Sequence, residues 1–301
     1  MVKYHEKNYG NIVVNGFRDY LWERNSAENT IDNYCRGALA LVDFIGINDI
    51  ADIRKLTKRN IKDFVEHLKV YEFKNSQKYT TETINNKIAG INQLLESYNM
   101  SNLKAKSLYC QRKLFLNDNE ILDDNEINIM IEESKKFNIL LYFILRILIQ
   151  MGLRVSEIQF ITVESLNRKY ICVYNKGTVR KVPLPTDLRE ELMNYCRMNG
   201  IIKGSIISVR NDSPMDRTTI GRNIKKLAEK LGIASSKAHP HSFRHSFAVK
   251  YLKRYGNDSL SKLADMLGHR SIETTRIYLR DTLTNVANSL TVNSLKIKIA
   301  S

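Results

Sequence analysis

The sequence predicts a mainly helical protein of two domains, with one small β-hairpin set into the second. Three observations predict it. Only four prolines and 13 glycines occur in 301 residues, and both are poor residues for helix interiors. Apolar residues recur at helical spacing through most of the chain. One stretch, residues 170–184, instead carries the β-branched and alternating pattern of paired strands. At 43% hydrophobic residues, the chain has enough apolar material for two buried cores.

The elements follow in order. Residues 12–24 place Val13, Phe17, Tyr20 and Leu21 on one helical face. Ser26 precedes a second helix with Ile31, Tyr34, Ala38, Leu41, Val42 and Ile45 on its apolar side. Thr57 reads as the N-cap of a third, carrying Ile61, Phe64, Val65 and Leu68. Thr81 opens a fourth with Ile84, Ile88, Ile91, Leu94 and Leu95, which completes a four-helix unit. Periodicity fades over 101–125, where the polar, basic KAKSLYCQRK segment reads as a linker. Helices resume near Asp124 and include a buried one over 139–151. Tyr170-Ile-Cys-Val-Tyr, the turn residues Asn175-Lys176-Gly177, and Val179 to Leu184 form the hairpin, with Lys176 at its tip. From Thr186 the chain is again helical.

Charge narrows the function. Lys and Arg total 47 against 32 Asp and Glu, a net +15, which favours a polyanionic partner because neutralised phosphates release counterions. Residues 1–117 hold 18 basic and 13 acidic residues, net +5, so the remainder carries +10. Residues 203–254 hold 12 basic residues against three acidic ones, Asp212, Asp216 and Glu229. Lys203, Arg217, Arg222, Lys225 and Lys226 are the DNA-binding candidates of this run. The four cysteines form no CxxC pair and no metal-ligand spacing with histidine, and Cys172 and Cys196 read as core thiols. No apolar run at the start reads as a signal peptide, and none is long enough to span a membrane. A reducing cytoplasm is expected.

Four local patterns carry chemistry: Gly152-Leu-Arg154-Val-Ser-Glu157; Lys176, 176 − 154 = 22 residues after Arg154; His241-Ser-Phe-Arg244-His245; and Leu267-Gly-His269, followed by Thr274-Thr-Arg-Ile-Tyr278. Two arginines can clamp one phosphate. His241 and His269 can donate or shuttle protons near neutral pH. A tip lysine can reach a groove. A tyrosine can attack a phosphodiester when nearby cations ease formation of its phenolate. No acidic cluster accompanies the set, so the stabilising cations come from side chains and no metal or other cofactor is expected. Singly, each residue has a plainer reading: a surface ion pair, a solvated turn, a chance His-x-x-Arg, a core tyrosine with a capped hydroxyl. Their order within 125 residues favours the joint one.

These motifs resemble the tyrosine recombinase (phage integrase) family in its two-domain, Xer-like form. The resemblance rests on GLRVSE, NKGTVRKVPL, HPHSFRHSFA and LGHRSIETTRIY. It is strong over residues 122–281 and weaker in the first domain, where it rests on Thr30 to Tyr34 and Thr83-Ile-Asn-Asn-Lys-Ile88. It implies a core-binding, SAM-like four-helix domain (8–100), a linker (101–121), a catalytic domain (122–282) and a C-terminal tail for protomer contact (283–301). It implies that Arg154 and Arg244 hold the scissile phosphate, that His241 supports it and handles the tyrosine proton, and that His269 is a second phosphate donor. It implies Lys176 as general acid for the leaving 5′-hydroxyl and Glu157 as the acid that orients the site. It implies Tyr278 as the nucleophile of a 3′-phosphotyrosyl intermediate, with no ATP needed for religation. His245, next to Arg244 on a helix, is expected to be structural, His239 is given no role, and His5 and His67 are expected at the surface. Met151 and the LRDT after Tyr278 depart mildly from the family pattern without removing a catalytic group.

The partners so implied are double-stranded DNA with inverted-repeat sites, a homodimer on each site, a homotetramer in the synapse, and accessory DNA-bending proteins. Strand exchange runs through a Holliday junction, as integration, excision, inversion or resolution, at the nucleoid. Two other readings stay open at this point: a type IB topoisomerase that relaxes DNA as a monomer, and an architectural DNA-binding protein that does not cut. In the tail, Leu283, Val286, Ala287 and Leu290 share a helical face, while Leu295, Ile297 and Ile299 alternate with polar residues. Both patterns call for a partner surface.

Overall fold

The computed structural model describes residues 6–73, 76–110, 122–175, 178–209, 213–269 and 271–279. The chain divides into two compact units, residues 1–112 and 113–301.

The first unit is built from α1 (Ile12–Glu23), α2 (Glu28–Ile45), the one-turn α3 (Ile50–Ile53), α4 (Lys58–Val70) and α5 (Thr81–Ser97). Phe17, Leu21, Ile31, Leu41, Phe64, Ile88 and Leu94 fill its core. Start signals act as expected at α4, where Thr57 and Asn60 make a reciprocal capping box. At α2, which follows Ser26, the cap is Ala27, with no side-chain bond. A short ribbon, β1 (Glu72–Phe73) with β2 (Gln77–Lys78), joins α4 to α5. It was too short to announce itself by alternation. His67 is half-buried rather than a plain surface residue, with its ring packed between Phe44 and Tyr71. Of the segment expected to link the domains, residues 101–110 are described. The Asn92 side chain bonds Ala105 and the Asn85 side chain bonds Leu108, each through both N–H and C=O, which ties this stretch to α5.

The second unit contains α6 (Asp124–Phe137), α7 (Ile139–Met151), the hairpin β3 (Tyr170–Asn175) and β4 (Thr178–Pro183), α8 (Thr186–Met198), the ribbon β5 (Ser208–Val209) and β6 (Ser213–Pro214), α9 (Arg217–Lys230), α10 (Pro240–Tyr255), α11 (Leu260–Leu267) and α12 (Ile272–Arg276). Asp123 caps α6 and Asn138 caps α7. Helix α7 is apolar nearly all round and lies in the middle of the core, as such a helix must. A smaller cluster of Phe247, Ala248, Leu252, Leu263, Leu267 and Tyr278 packs α10, α11 and the end of the described chain together. Cys35 and Cys196 are buried, and Cys172 is half-buried. Among the described residues no helix is long and apolar enough to cross a membrane.

Candidate active site

Two helix ends and one carboxylate organise the site. Helix α7 stops at Gly152, whose φ of 61° is left-handed. A Cβ there would also lie 2.3 Å from the Phe247 ring, so only glycine fits. Helix α11 stops in the same way at Gly268, with φ 64°. Both ends leave orphan carbonyls, and arginines take them. Arg244 Nη1 donates to Gly152 O at 2.6 Å and its Nη2 to Leu267 O at 2.7 Å. Arg154 Nη2 donates to Gly268 O at 3.1 Å. Arg180 Nε donates to Met266 O at 2.9 Å. The negative ends of two helix dipoles thus face three guanidinium groups that would otherwise repel one another.

Glu157, only 3% exposed, supplies the counter-charge. It sits in a 3-10 turn directly after Arg154 and reaches back, accepting Arg154 N on Oε2 and Arg154 Nη1 on Oε1, both at 2.8 Å. Arg180 adds a two-pronged pair at 3.0 and 2.7 Å, and Arg244 Nη1 lies 3.9 Å from Oε2. Burial alone would raise this carboxyl, but the hydrogen bonds from Arg180 and Arg154 outweigh it and hold it below its usual range. Glu157 is therefore ionised at the centre of the cluster.

Helix α10 delivers Arg244. His239 caps it by accepting Ser242 N at 3.2 Å, and Pro240 takes the first helical position. Arg244 is 2% exposed. Burial, with the charge of Arg154, brings it down to about 10, still protonated at neutral pH. His269 follows Gly268, with Nε2 3.2 Å from Arg244 Nη2 and Nδ1 2.8 Å from Thr275 Oγ1. A guanidinium only donates, so Nε2 accepts and the ring proton sits on Nδ1, directed at Thr275. Burial first, and then Arg244 and Arg154, bring His269 down to about 4, which matches this neutral tautomer. Tyr278, in the turn after α12, is 4% exposed. Its ring lies 6.2 Å from the His269 ring and edge-on to the His245 ring at 5.0 Å. Burial raises its phenol, and the charges of Arg244 and Arg154 oppose that rise.

The phage integrase family model matches residues 120–284, and the family's N-terminal SAM-like domain matches residues 14–100. The chain belongs to the phage integrase family. A tyrosine recombinase of Pseudothermotoga lettingae is 27% identical over 282 residues, covering 89% of this chain and 93% of the relative. The XerD recombinase of Brucella abortus is 34% identical over 152 residues, 46% of this chain and 47% of its own length. Among solved structures, the Tn1549 transposon integrase in complex with transposon right-end DNA shares the fold at a TM-score of 0.68 and 15% identity, covering 94% of this chain and 99% of the other. A lambda integrase tetramer bound to a Holliday junction does so at 0.68 and 14%, covering 89% and 76%. The recombinase fold is thus the mainly helical one expected, and the activity class is site-specific DNA recombination by strand breakage and rejoining.

In this recombinase the structure brings Arg154, Glu157, Arg244, His269 and Tyr278 into one cluster. His241 lies at its edge, exposed. The surrounding protein and then the Arg244 charge lower its pKa, and its ring stacks near that of His239 at 6.4 Å. Lys176 and the tail 283–301 lie outside the described residues, though the strands flanking Lys176 are described, in register from Tyr170↔Pro183 to Asn175↔Thr178. Arg222, Lys225 and Lys226 share the exposed side of α9, opposite buried Ile220, Ile224 and Leu227, and Arg217 is exposed at its start. Helix α9 packs against α10, the helix that carries Arg244, and the Lys225 charge adds to burial in lowering His239. Lys203 lies on a different element, the loop after α8.

Two residues of the cluster were not singled out by sequence, and a third, His245, was read differently. Arg180 had a signal: it shares strand parity with buried Val182 and pairs with buried Val173, so it is a charge on the inward face of β4. Thr275 sits one turn from Tyr278 with no distinguishing mark. His245 was expected to be structural, its side chain turned away from that of Arg244. Its ring packs on Tyr278, its Nε2 is buried without a hydrogen-bond partner among the described residues, and burial brings it to about 4. Adjacent helical residues diverge by about a quarter-turn or more at Cα, but Tyr278 is large enough to touch both neighbours.

Proposed function

We propose that Tyr278 is the nucleophile of a metal- and ATP-independent DNA cleavage, with Arg154 and Arg244 as the phosphate clamp. One observation carries the reading: Arg154 and Arg244 converge on a single ionised carboxylate, Arg244 also holds the His269 imidazole, and Tyr278 lies beside that same imidazole. Docking of a scissile phosphate among these guanidinium groups places negative charge where the protein already has fixed positive charge. The Tyr278 hydroxyl oxygen bonds to phosphorus, the bond to the 5′-oxygen breaks, and the leaving oxygen takes a proton from Lys176. His241 takes the phenol proton. Water is not consumed, so the reverse attack by a 5′-hydroxyl reseals the strand. The neutral His269 tautomer accepts from Arg244. To donate to phosphate it must move its proton to Nε2 or gain a second one, and the phosphate's own charge favours the latter.

The substrate of this reading is duplex DNA carrying inverted repeats, with two protomers per site and four in the synapse. Accessory DNA-bending proteins are further partners. The domains divide as residues 8–100 for core binding, 101–121 as linker, 122–282 for catalysis and 283–301 for protomer contact. The exposed cations Lys203, Arg217, Arg222, Lys225 and Lys226 contact phosphates, and the protein works in the cytoplasm, at the nucleoid.

The test uses duplexes selected from a random pool by binding to the full-length protein. After denaturation, protein-linked DNA is counted for the wild type and for Tyr278→Phe, with EDTA present. The expected result is a 3′-linked adduct with wild type only, at equal binding. An adduct with Tyr278→Phe at wild-type level removes Tyr278 as nucleophile.

A further inference from the structure

Arg180 has no role in the scheme above, yet it makes two hydrogen bonds to Glu157, where the Arg154 side chain makes one and Arg244 approaches only to 3.9 Å. Its side chain is 13% exposed. Nη1 and Nη2 grip the two oxygens of Glu157 at 3.0 and 2.7 Å, and Nε holds Met266 O at 2.9 Å. The planar fork of a guanidinium fits a carboxylate in one orientation only. The guanidinium also rests on Gly268, where a Cβ would approach Nη1 to 2.8 Å. Arg180 lies on β4, four residues after Lys176, on the face of the strand that carries buried Val182.

We propose that Arg180 is a positioning residue for cleavage: one guanidinium fixes the Glu157 carboxylate behind Arg154 and fastens strand β4 to the end of α11. The inference rests on the clamp reading above. Without Arg180, the buried carboxylate keeps Arg154 as a close partner and has Arg244 within 3.9 Å. It can then turn toward Arg244 and draw that side chain from Gly152 O and Leu267 O. Arg154, whose side chain is 34% exposed, loses the partner that sets its open edge. Strand β4 loses its tie to the segment that carries His269, so the approach of the hairpin to the phosphate is also less defined. Arg180 has Nε, Nη1 and Nη2 all engaged by framework acceptors, two of them on Glu157, so its proposed part is orientation of that carboxylate.

The experiment compares Arg180→Lys, Arg180→Met, Glu157→Gln and the double variant Arg180→Met/Glu157→Gln in the full-length protein, on the selected duplexes. Melting temperature, duplex affinity and single-turnover cleavage are measured for each. Lysine keeps the charge but cannot make the two-pronged pair. Arg180→Lys is expected to fold, to bind within about threefold of wild type, and to cleave about 10- to 100-fold more slowly, the range seen when an orienting partner is lost. If Arg180 and Glu157 act as one unit, the double variant cleaves no more slowly than the worse single variant, so the losses do not multiply. Added guanidinium ion is expected to restore part of the rate to Arg180→Met. A rate for Arg180→Lys equal to wild type overturns the proposal. So does a loss matched by an equal loss of folded or bound protein, or losses that multiply in the double variant. Failure of the clamp reading shows separately, as wild-type protein that forms no Tyr278 adduct.

Discussion

At the scale of single residues, His269 shows how the cluster sets a proton. Its Nε2 faces Arg244 and its Nδ1 faces Thr275, a fully buried hydroxyl. A hydroxyl can accept or donate, so Thr275 tolerates the ring with its proton on either nitrogen. Valine has nearly the same shape and neither capacity. Thr275→Val would leave the Nδ1 proton buried without an acceptor, which costs about 1–3 kcal/mol, and would push the proton toward Nε2, against the guanidinium. Thr275→Val is expected to cleave about 10- to 100-fold more slowly with little change in binding, as for other lost orienting partners, and Thr275→Ser to stay near wild type. Single-turnover cleavage of a bound duplex checks it. Equal rates for the valine and serine variants would show that Thr275 only fills space.

At the scale of elements, what the sequence made legible divides by mechanism. Helix α4 and the start of α6 were readable because their side chains cap their own backbone, and α7 because an apolar run closed by Gly152 admits few other structures. The start of α2 after Ser26 was read from periodicity alone, because its cap, Ala27, makes no side-chain bond. The ribbons β1–β2 and β5–β6 are two residues a strand, too short for periodicity to register. Of the site, Arg154, Glu157, Arg244, His269 and Tyr278 were singled out by their motifs and lie together. Arg180 and His245 lie in the same motifs, but their places in the cluster depend on contacts 23 and 33 residues distant, to Glu157 and Tyr278, which local pattern does not reach. Asn175↔Thr178 is the last described pair of the hairpin, and Lys176 itself lies outside the described residues. If Lys176 protonates the leaving oxygen, Lys176→Ala is slow on an ordinary phosphodiester but recovers on a 5′-phosphorothiolate, because a thiolate leaves without a proton. The ratio of cleavage rates on the two substrates measures this. An equal defect on both would assign Lys176 to binding instead.

At the scale of the whole molecule, the cationic site couples proton binding to stability and, on the proposed reading, to DNA affinity. His245 and His269 ordinarily titrate near 6.5 and are brought to about 4 in the fold, chiefly by burial and, for His269, also by Arg244 and Arg154. His239 and His241 shift in the same direction. Each is therefore lower folded than unfolded, so between pH 6.5 and 4 the unfolded chain holds more protons. The stability these groups contribute is complete above pH 6.5 and is lost as pH falls toward 4. At about pH 5 the loss is about 1–2 kcal/mol for each of His245 and His269. Glu157, held low, adds its own loss only below its usual range, at more acid pH. If phosphates dock on the basic face of α9 and among the guanidinium groups, as proposed, they partly cancel the positive field that, after burial, depresses His241 and His269. Their pKa values rise on binding, protons are taken up, and by linkage the complex tightens as pH falls. Denaturant midpoints of the free protein are expected to drop between pH 7 and 5, while duplex affinity at fixed ionic strength increases over the same interval. An affinity that is flat or weaker at pH 5.5 than at 7.5, at constant salt and with folded protein, would show that no phosphate reaches the histidines in the bound complex.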